Sequence, residues 1–298
     1  MITGLPRSGS TLLHGLLAQD PANRVPQTWE TLRPSPPPDC LTYDRDPRIA
    51  SAERDLRWFD RLVPEFKKIH AVGARLPEEC VPLLSHSFIS SQFCIMYGVP
   101  SYLNWMRAQD LRPAYELHRR FLQQLQWRCP GDRWVLKAPS HLPALRELCS
   151  VYPDVSLIMT HREPLEVLAS EASLHTVLRQ AFSDAVDPAL VGREVTELTA
   201  DEIRAGLEAR ADGHPPPERV LDVRYLDLVR DPMATIRRIY LRFGVPLTAD
   251  AEARMRRYLG DSPKDRHGAH VYSLTAFGLS QDEERERYRA YRERFLMA

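Results

Sequence analysis

The sequence has no excess of charge and no pattern of paired cysteines. Its 40 lysines and arginines equal its 40 aspartates and glutamates, so no overall field draws it to nucleic acid, and any anion site must be local. The five cysteines include no CxxC pair, which argues against a disulfide framework or a zinc site. We therefore expect reduced thiols in a cytoplasmic protein. The thiols are Cys40, Cys80, Cys94, Cys129 and Cys149.

Long apolar runs and several catalytic signatures are also missing. No run approaches the roughly 20 residues of a membrane span, and nothing before Ile2 resembles a signal peptide, so we predict no integral membrane association. HExxH and GxSxG are absent, which leaves zinc hydrolases and α/β-hydrolases without support. His267 and His270 are spaced for one metal ion but lack a convincing third ligand, and we predict no metal.

The segment Ile2 to Leu13, ITGLPRSGSTLL, has the pattern of a strand, a glycine loop and a helix. It nearly fits the phosphate-binding pattern GxxxxGK[ST], but Ser10 stands where the lysine belongs. Arg7, inside the loop, offers a planar fork of donors suited to phosphate or sulfate. An ordinary ATPase or GTPase is therefore disfavoured. The plain alternative is a strand-to-helix turn with an exposed arginine.

Apolar runs that alternate with helical patterns predict the fold class. Arg133–Lys137, Val155–Thr160 and Val220–Tyr225 are predicted strands, and helices are expected after each of them. Val25–Thr28 is a further short strand, which would place Glu30 on a loop just beyond it. The prediction is an α/β, three-layer, P-loop-like fold with a central parallel sheet flanked by helices. We expect one domain over 1–298.

A helical region over about 40–128 is predicted to cover the substrate. It includes a helix over Glu78–Phe93, within an unusually apolar segment from Pro77 to Tyr97. Core packing explains this composition as well as an apolar substrate pocket does.

Arg162 and Ser170 form a second candidate anion site. Arg162 follows the predicted strand Val155–Thr160, and Ser170 comes eight residues later, about two helical turns on, so the two can share one side. Together with the glycine loop they suggest a nucleotide with phosphates at both ends.

Taken in order, these blocks resemble the sulfotransferases that use 3′-phosphoadenosine 5′-phosphosulfate, in particular a bacterial subgroup related to the tyrosylprotein sulfotransferases. The blocks that carry the resemblance are GLPRSGSTLLHGLLAxDP, WE, WVLKxPSHL, HREPLEVxxS and HGxHxYSLxxFGL. The resemblance implies that the loop binds the 5′-phosphosulfate, through Arg7, Ser8, Gly9, Ser10 and Thr11. It also implies that Arg162 and Ser170 bind the 3′-phosphate and that Tyr225 lies near the nucleotide.

The resemblance further implies a catalytic set. Lys137 would lie near the transferring sulfuryl group and, with Arg7, stabilise the transition state. Glu30 is the first candidate for the base that deprotonates the acceptor hydroxyl, and His141 is the second. Lys264, Arg266 and His267 would belong to a late segment that covers the cofactor, although the spacing there departs from the better-known cytosolic motif.

The predicted function is transfer of a sulfuryl group to a hydroxyl of a small, hydrophobic alcohol or phenol, without a metal. A P-loop-like small-molecule kinase and a non-catalytic nucleotide-binding relative are the alternatives. The expected partner is a small-molecule hydroxyl acceptor, with no nucleic acid, and a homodimer is left open.

Overall fold

A computed structural model describes residues 1–69, 71–261 and 273–297. The strands are β1 (Ile2–Gly4), β2 (Asn23–Arg24), β3 (Arg133–Trp134), β4 (Leu157–His161) and β5 (Val220–Arg224). The first helices are α1 (Ser10–Leu17), α2 (Thr28–Leu32), α3 (Pro47–Leu62), α4 (Phe66–Ile69), α5 (Val81–Ser85), α6 (Ser91–Met96), α7 (Pro100–Arg107) and α8 (Arg112–Gln126). The remaining helices are α9 (Leu145–Val151), α10 (Pro164–Gln180), α11 (Pro188–Ala211), α12 (Tyr225–Arg230), α13 (Pro232–Arg242), α14 (Ala249–Asp261), α15 (Gln281–Arg287) and α16 (Arg289–Phe295).

Parallel strands form the centre of the fold. β4 lies between β1 and β5, with Ile2 opposite Ile158 and Leu157 opposite Val220. β2 pairs with β3, and the chain after β3 continues beside β1, where Leu136 O accepts from Ile2 N at 2.7 Å. The parallel order is therefore β2–β3–β1–β4–β5.

Both faces of this sheet are buried under helices, which confirms the predicted three-layer α/β fold. Ile158 faces a cluster formed with α1, α13 and α14, whereas its neighbours Leu157 and Met159 face the opposite cluster with Ala209 of α11. This alternation follows from the two-residue period of a strand. It also explains why β4 reads as a continuous apolar run.

The helices α2 to α8 form an insertion between β2 and β3. Two apolar clusters hold it, one around Trp29 and Ile49 and one that joins Leu83 of α5 to Leu122 of α8. The helical character predicted for about 40–128 is present, and its role in covering the substrate stays a prediction.

Three local predictions were wrong. Val25–Thr28 is not a strand, because β2 ends at Arg24 and α2 begins at Thr28, so Glu30 lies on a helix. The helix predicted over Glu78–Phe93 is split into α5 and α6, because Phe88 adopts a left-handed φ of 59° and Ser90 caps a new helix. The charged pattern of Ser280–Phe295 predicts one helix, but the structure divides it at Tyr288 into α15 and α16.

Candidate active site

The loop between β1 and α1 is held against β4 by close backbone contact. A Cβ on Gly4, whose φ is 124°, would lie 2.2 Å from the carbonyl oxygen of Thr160, so only glycine fits there. Ser8 is fully buried, donates to Leu5 O and shares a 2.6 Å hydrogen bond with the Thr160 hydroxyl. Arg7 adopts a left-handed φ of 59°. These contacts fix the loop at the carboxyl end of the sheet.

The backbone N–H groups of this loop form a site for an anion. Among the described residues, no N–H group from Arg7 to Thr11 has a hydrogen-bond acceptor. Gly9, with φ of 84°, precedes the first turn of α1, and no side chain caps this helix. Because the helix dipole is positive at its N-terminus, a phosphate or sulfate is favoured there.

Arg162 and Arg7 connect the two predicted anion sites. Arg162 Nη1 donates to the carbonyl oxygen of Arg7 at 2.7 Å, and its guanidinium lies 4.3 Å from the centre of the Tyr225 ring. Arg7 Nε in turn donates to Ser170 Oγ at 3.2 Å. The loops that follow β1 and β4 meet because the chain turns to opposite sides after these neighbouring strands, which opens a crevice at their carboxyl ends. The structure therefore brings Arg7, Arg162, Ser170 and Tyr225 together.

Lys137 lies beneath this loop and pairs with a carboxylate that sequence reasoning missed. Its ammonium group forms an ion pair with Glu79 Oε1 and lies 3.5 Å from Thr11 Oγ1. The Lys137 side chain is only 3% exposed, so its charge is held in place by this partner.

The structure does not bring Glu30 to these residues. Its fully buried carboxylate accepts from Arg24 Nη2 at 2.7 Å, from the Tyr43 hydroxyl at 3.0 Å and from the backbone N–H of Gln27 at 3.0 Å. The last contact is half of a capping box at the start of α2. All of these are contacts of a structural carboxylate, and a role as base stays a prediction that this placement does not favour.

His141 is also enclosed in the protein. It is fully buried in the 3-10 turn Pro139–Ala144, and its Nδ1 lies 2.9 Å from the Tyr115 hydroxyl. Burial, with a smaller contribution from His118, holds the pKa of His141 well below its usual range. A neutral, enclosed imidazole does not favour the predicted role as base. Lys264, Arg266 and His267 lie outside the described residues.

A cavity of about 1320 Å³ joins the glycine loop to an apolar chamber. Arg7, Gly9, Thr11, Arg162 and Tyr225 line one end. The chamber walls come from α3, α6, α10 and α11, among other segments, and include Phe59, Ile95, Met96, Leu174, Leu178 and Leu198. Part of the apolar segment Pro77–Tyr97 thus lines a pocket, while Leu83 and Leu84 belong to the core. Both interpretations of that segment hold, for different side chains.

Acidic residues stand in the walls of this otherwise apolar chamber. Glu78 and Glu79 line it beside α5, Glu171 lines it from α10 and Glu202 from α11. Burial raises the pKa of Glu171 to about 7, against the opposing effect of Arg7. Burial and the nearby Glu171 raise the pKa of Glu202 to about 8. A carboxyl group with such a pKa is protonated to a large extent at neutral pH and can donate a hydrogen bond.

No local pattern marks Glu79 or Glu171 in the sequence. Glu79 meets Lys137 across 58 residues, and Glu171 directly follows Ser170 on α10, a helix with most of its residues buried. The Gln27 and Glu30 pair did carry a signal, because a polar residue followed three positions later by glutamate predicts a capping box and hence a helix start.

The described residues contain neither a metal-ligand cluster nor a membrane-spanning helix. Within the ranges that the structure covers, no three histidine, cysteine, aspartate or glutamate side chains are grouped to hold a metal ion. None of the helices placed there is long and apolar enough to cross a membrane.

Residues 1–250 match the model of the sulfotransferase family. The curated relatives include an omega-hydroxy-beta-dihydromenaquinone-9 sulfotransferase, Stf3, from Mycobacterium bovis and Mycobacterium tuberculosis. It is 26% identical over 279 residues, which are 87% of this chain and 66% of the relative. The chain thus spans slightly less than two thirds of the curated relatives that it matches.

Two crystal structures of mycobacterial sulfotransferases resemble the whole chain. STF9 from Mycobacterium avium is 31% identical with a TM-score of 0.88, and the match covers 99% of this chain and 76% of STF9. STF1 from Mycobacterium tuberculosis H37Rv is 33% identical with a TM-score of 0.84, over 97% of this chain and 75% of STF1.

Proposed function

Because the chain belongs to the sulfotransferase family, we propose that it transfers a sulfuryl group from 3′-phosphoadenosine 5′-phosphosulfate to a hydroxyl of an apolar alcohol or phenol. One observation carries this proposal. A loop whose N–H groups have no acceptor among the described residues, two arginines and a glutamate that is ion-paired with Lys137 line one cavity that opens into an apolar chamber. Nucleotide and acceptor can therefore meet at the loop.

The donor nucleotide fits the polar end of the cavity. The N–H groups from Arg7 to Thr11 suit the 5′-phosphosulfate, whereas Arg162 and Ser170 suit the 3′-phosphate. Tyr225, which opens α12 and lies against Arg162, would hold the nucleoside. Ser10 in place of the phosphate-loop lysine removes the contact that a nucleoside triphosphate requires, which argues against the kinase alternative.

Glu79 is the base in this proposal, in place of Glu30 and His141. Its carboxylate lines the cavity and pairs with Lys137, which also approaches Thr11 at the start of α1. Glu79 accepts the proton of the acceptor hydroxyl while the oxygen of that hydroxyl attacks sulfur. The bond between sulfur and the bridging phosphate oxygen breaks in line, and Lys137 and Arg7 stabilise the charge that develops there. The products are the sulfate ester and adenosine 3′,5′-bisphosphate.

An apolar acceptor is favoured by the chamber walls and by one relative. The apolar lining side chains are leucine, phenylalanine, valine, isoleucine and methionine, which would bury a hydrocarbon body and leave its hydroxyl at the loop. The relative Stf3 is named for a lipid-like hydroxylated quinone. Cytoplasmic location, a homodimer and the absence of a metal requirement stay predictions.

Calorimetric titration with adenosine 3′,5′-bisphosphate, run beside ATP with magnesium, tests the donor. We expect the bisphosphate alone to bind and Arg162→Ala to weaken it roughly 10- to 100-fold, as loss of charge-assisted hydrogen bonds predicts. Arg112→Ala, which removes an exposed arginine on α8, is the control. Binding of ATP alone would support the kinase. Bisphosphate binding without sulfation of any alkanol or phenol would support the non-catalytic relative.

A further inference from the structure

The apolar chamber contains polar side chains that take no part in the proposed sulfuryl transfer. Glu171 is 7% exposed, and its carboxyl group has no hydrogen-bond partner among the described residues. His175 Nε2 lies 3.8 Å from its Oε2, too far for a hydrogen bond. His175 is 4% exposed, and its Nδ1 is buried without a partner in the described part of the chain. Both side chains line the cavity.

Two residues of α11 complete this polar patch. Thr199 is buried and Glu202 is half-buried, and both line the same cavity as Glu171 and His175. Their neighbours in the wall are Leu174, Leu178, Val195 and Leu198. A buried polar group ordinarily has a partner, because leaving one unpaired in an apolar wall is costly. Glu171 and His175 are two such groups in one wall, with Thr199 and Glu202 beside them, and this arrangement indicates that a ligand supplies the missing partner.

We propose that Glu171, His175, Thr199 and Glu202 bind an uncharged oxygen, of the carbonyl type, on the body of the apolar acceptor. This inference rests on the proposed function, because it takes the chamber to be the acceptor site. It narrows the acceptor class to hydroxyl compounds that carry a ketone-like oxygen away from the hydroxyl to be sulfated.

The charges around Glu171 favour a neutral ligand over a cation. Arg7 faces it from the glycine loop, Glu79 from the segment before α5, Glu202 from α11 and His175 from its own helix. Burial lowers the pKa of His175 to about 3, so the imidazole is neutral. Burial raises the pKa of Glu171 to about 7, so its protonated form supplies an O–H donor near neutral pH. An amine would instead bring a second desolvated charge into apolar walls.

Binding to the chamber can be measured without catalysis. The full-length protein is titrated by calorimetry at pH 6 with medium-chain hydroxy ketones, alkanols and amino alcohols of equal heavy-atom count. Each titration is run with and without saturating adenosine 3′,5′-bisphosphate. We expect the hydroxy ketone to bind about tenfold more tightly than the alkanol, the value of one well-formed hydrogen bond. The preference should decrease as the pH rises through about 7, where Glu171 loses its donor.

Variants of Glu171 test the contact directly. Glu171→Leu should abolish the preference for the ketone. Glu171→Gln, whose amide still donates, should keep the preference and lose its pH dependence. Glu197→Gln, an exposed residue of the same helix as Glu202, is the control and should change neither. If Glu171→Leu does not fold, the glutamine variant and the pH series on the unmodified protein decide the question.

Equal affinity for ketone and alkanol would overturn the inference, and so would tighter binding of the amino alcohol that strengthens with pH. Failure of the proposed function has a different signature. In that case the bisphosphate does not bind and no alcohol is sulfated, while the titrations without nucleotide still report whether the chamber prefers a carbonyl oxygen.

Discussion

Glu30 Oε1 lies 2.7 Å from Arg24 Nη2 in an ion pair that is closed off from the cavity. The Tyr43 hydroxyl and the backbone N–H of Gln27 occupy the second carboxylate oxygen. Arg24 also stacks on Trp134, with its guanidinium 4.7 Å from the ring centre, and donates to Leu125 O. The contacts of this pair thus link β2, α2, α8 and β3 and hold the inserted helices on the sheet.

Glu30→Gln should therefore affect stability more than catalysis. Removing one charge of a buried pair leaves Arg24 uncompensated, which costs roughly 3–5 kcal/mol of the free energy of unfolding. Urea denaturation measures this loss, and sulfation per folded molecule should stay near the unmodified rate. Asp55→Asn breaks the exposed pair with Arg33 and is the control, with an expected loss within about 1 kcal/mol. A stable Glu30→Gln protein without activity would restore Glu30 as the base.

Glu79→Gln should reduce catalysis as well as stability. The amide keeps the shape and an oxygen that accepts from Lys137, but it leaves the buried ammonium group without its paired charge and cannot take a proton from the acceptor. We expect kcat per folded molecule to fall roughly 10²- to 10⁴-fold, as for loss of a general base. Calorimetry should still find binding of adenosine 3′,5′-bisphosphate, because the N–H groups of the loop, Arg162 and Ser170 stay in place. Full activity of this variant would show that another group is the base.

Five buried histidines should make the fold sensitive to acid. Burial lowers the pKa of His14 to about 3 and of His118 to about 4, and it also depresses those of His141, His161 and His175. Below pH 6.5 the unfolded chain binds protons that the folded protein excludes. Each histidine therefore reduces the free energy of unfolding by up to about 1.4 kcal/mol per pH unit as the pH falls toward the folded pKa.

Three carboxyl groups act in the opposite direction. Burial raises the pKa values of Glu78, Glu171 and Glu202, so the folded protein binds their protons first and gains stability as the pH falls toward about 4.5. The five histidines outnumber them, and stability should still decrease from pH 6.5 to 4.5. His118→Gln should flatten this slope by up to about 1.4 kcal/mol per pH unit. Urea denaturation at a series of pH values measures the slope, and an unchanged slope would contradict the prediction.

Cys40 and Cys129 lie close together in the structure, although no CxxC pattern pairs them in the sequence. Their sulfur atoms lie 2.7 Å apart, beside a hydrogen bond from Cys40 N to Arg128 O. A mild oxidant such as diamide should convert these two thiols into a disulfide, with the diamide taking up both hydrogens. Thiol titration of the denatured protein should show the loss of two of the five thiols, and Cys40→Ser should prevent it. Loss of thiols other than this pair would refute the assignment.

The sequence by itself determined the features that depend on neighbouring residues. The run Leu157–His161 has the composition of a strand buried on both faces, and the spacing of Gly4, Gly9 and Thr11 specifies a phosphate loop because only certain residues adopt its φ angles. The spacing of Arg162 and Ser170 likewise predicted that they share one side of a helix, whereas the contacts that join both residues to Arg7 were found only in the structure.

Only the tertiary structure decided which carboxylates face the cavity. As isolated glutamates, the three residues Glu30, Glu79 and Glu171 are equivalent. In the structure Arg24 pairs with Glu30 and Lys137 pairs with Glu79, whereas Glu171 lies in an apolar wall with no hydrogen bond to any described residue. These differences come from contacts between segments far apart in the chain, and the charge state of a carboxyl group depends on what surrounds it in space. The sequence therefore determines which chemical groups this protein contains. Packing determines the surroundings of each carboxyl group, and with them its charge state.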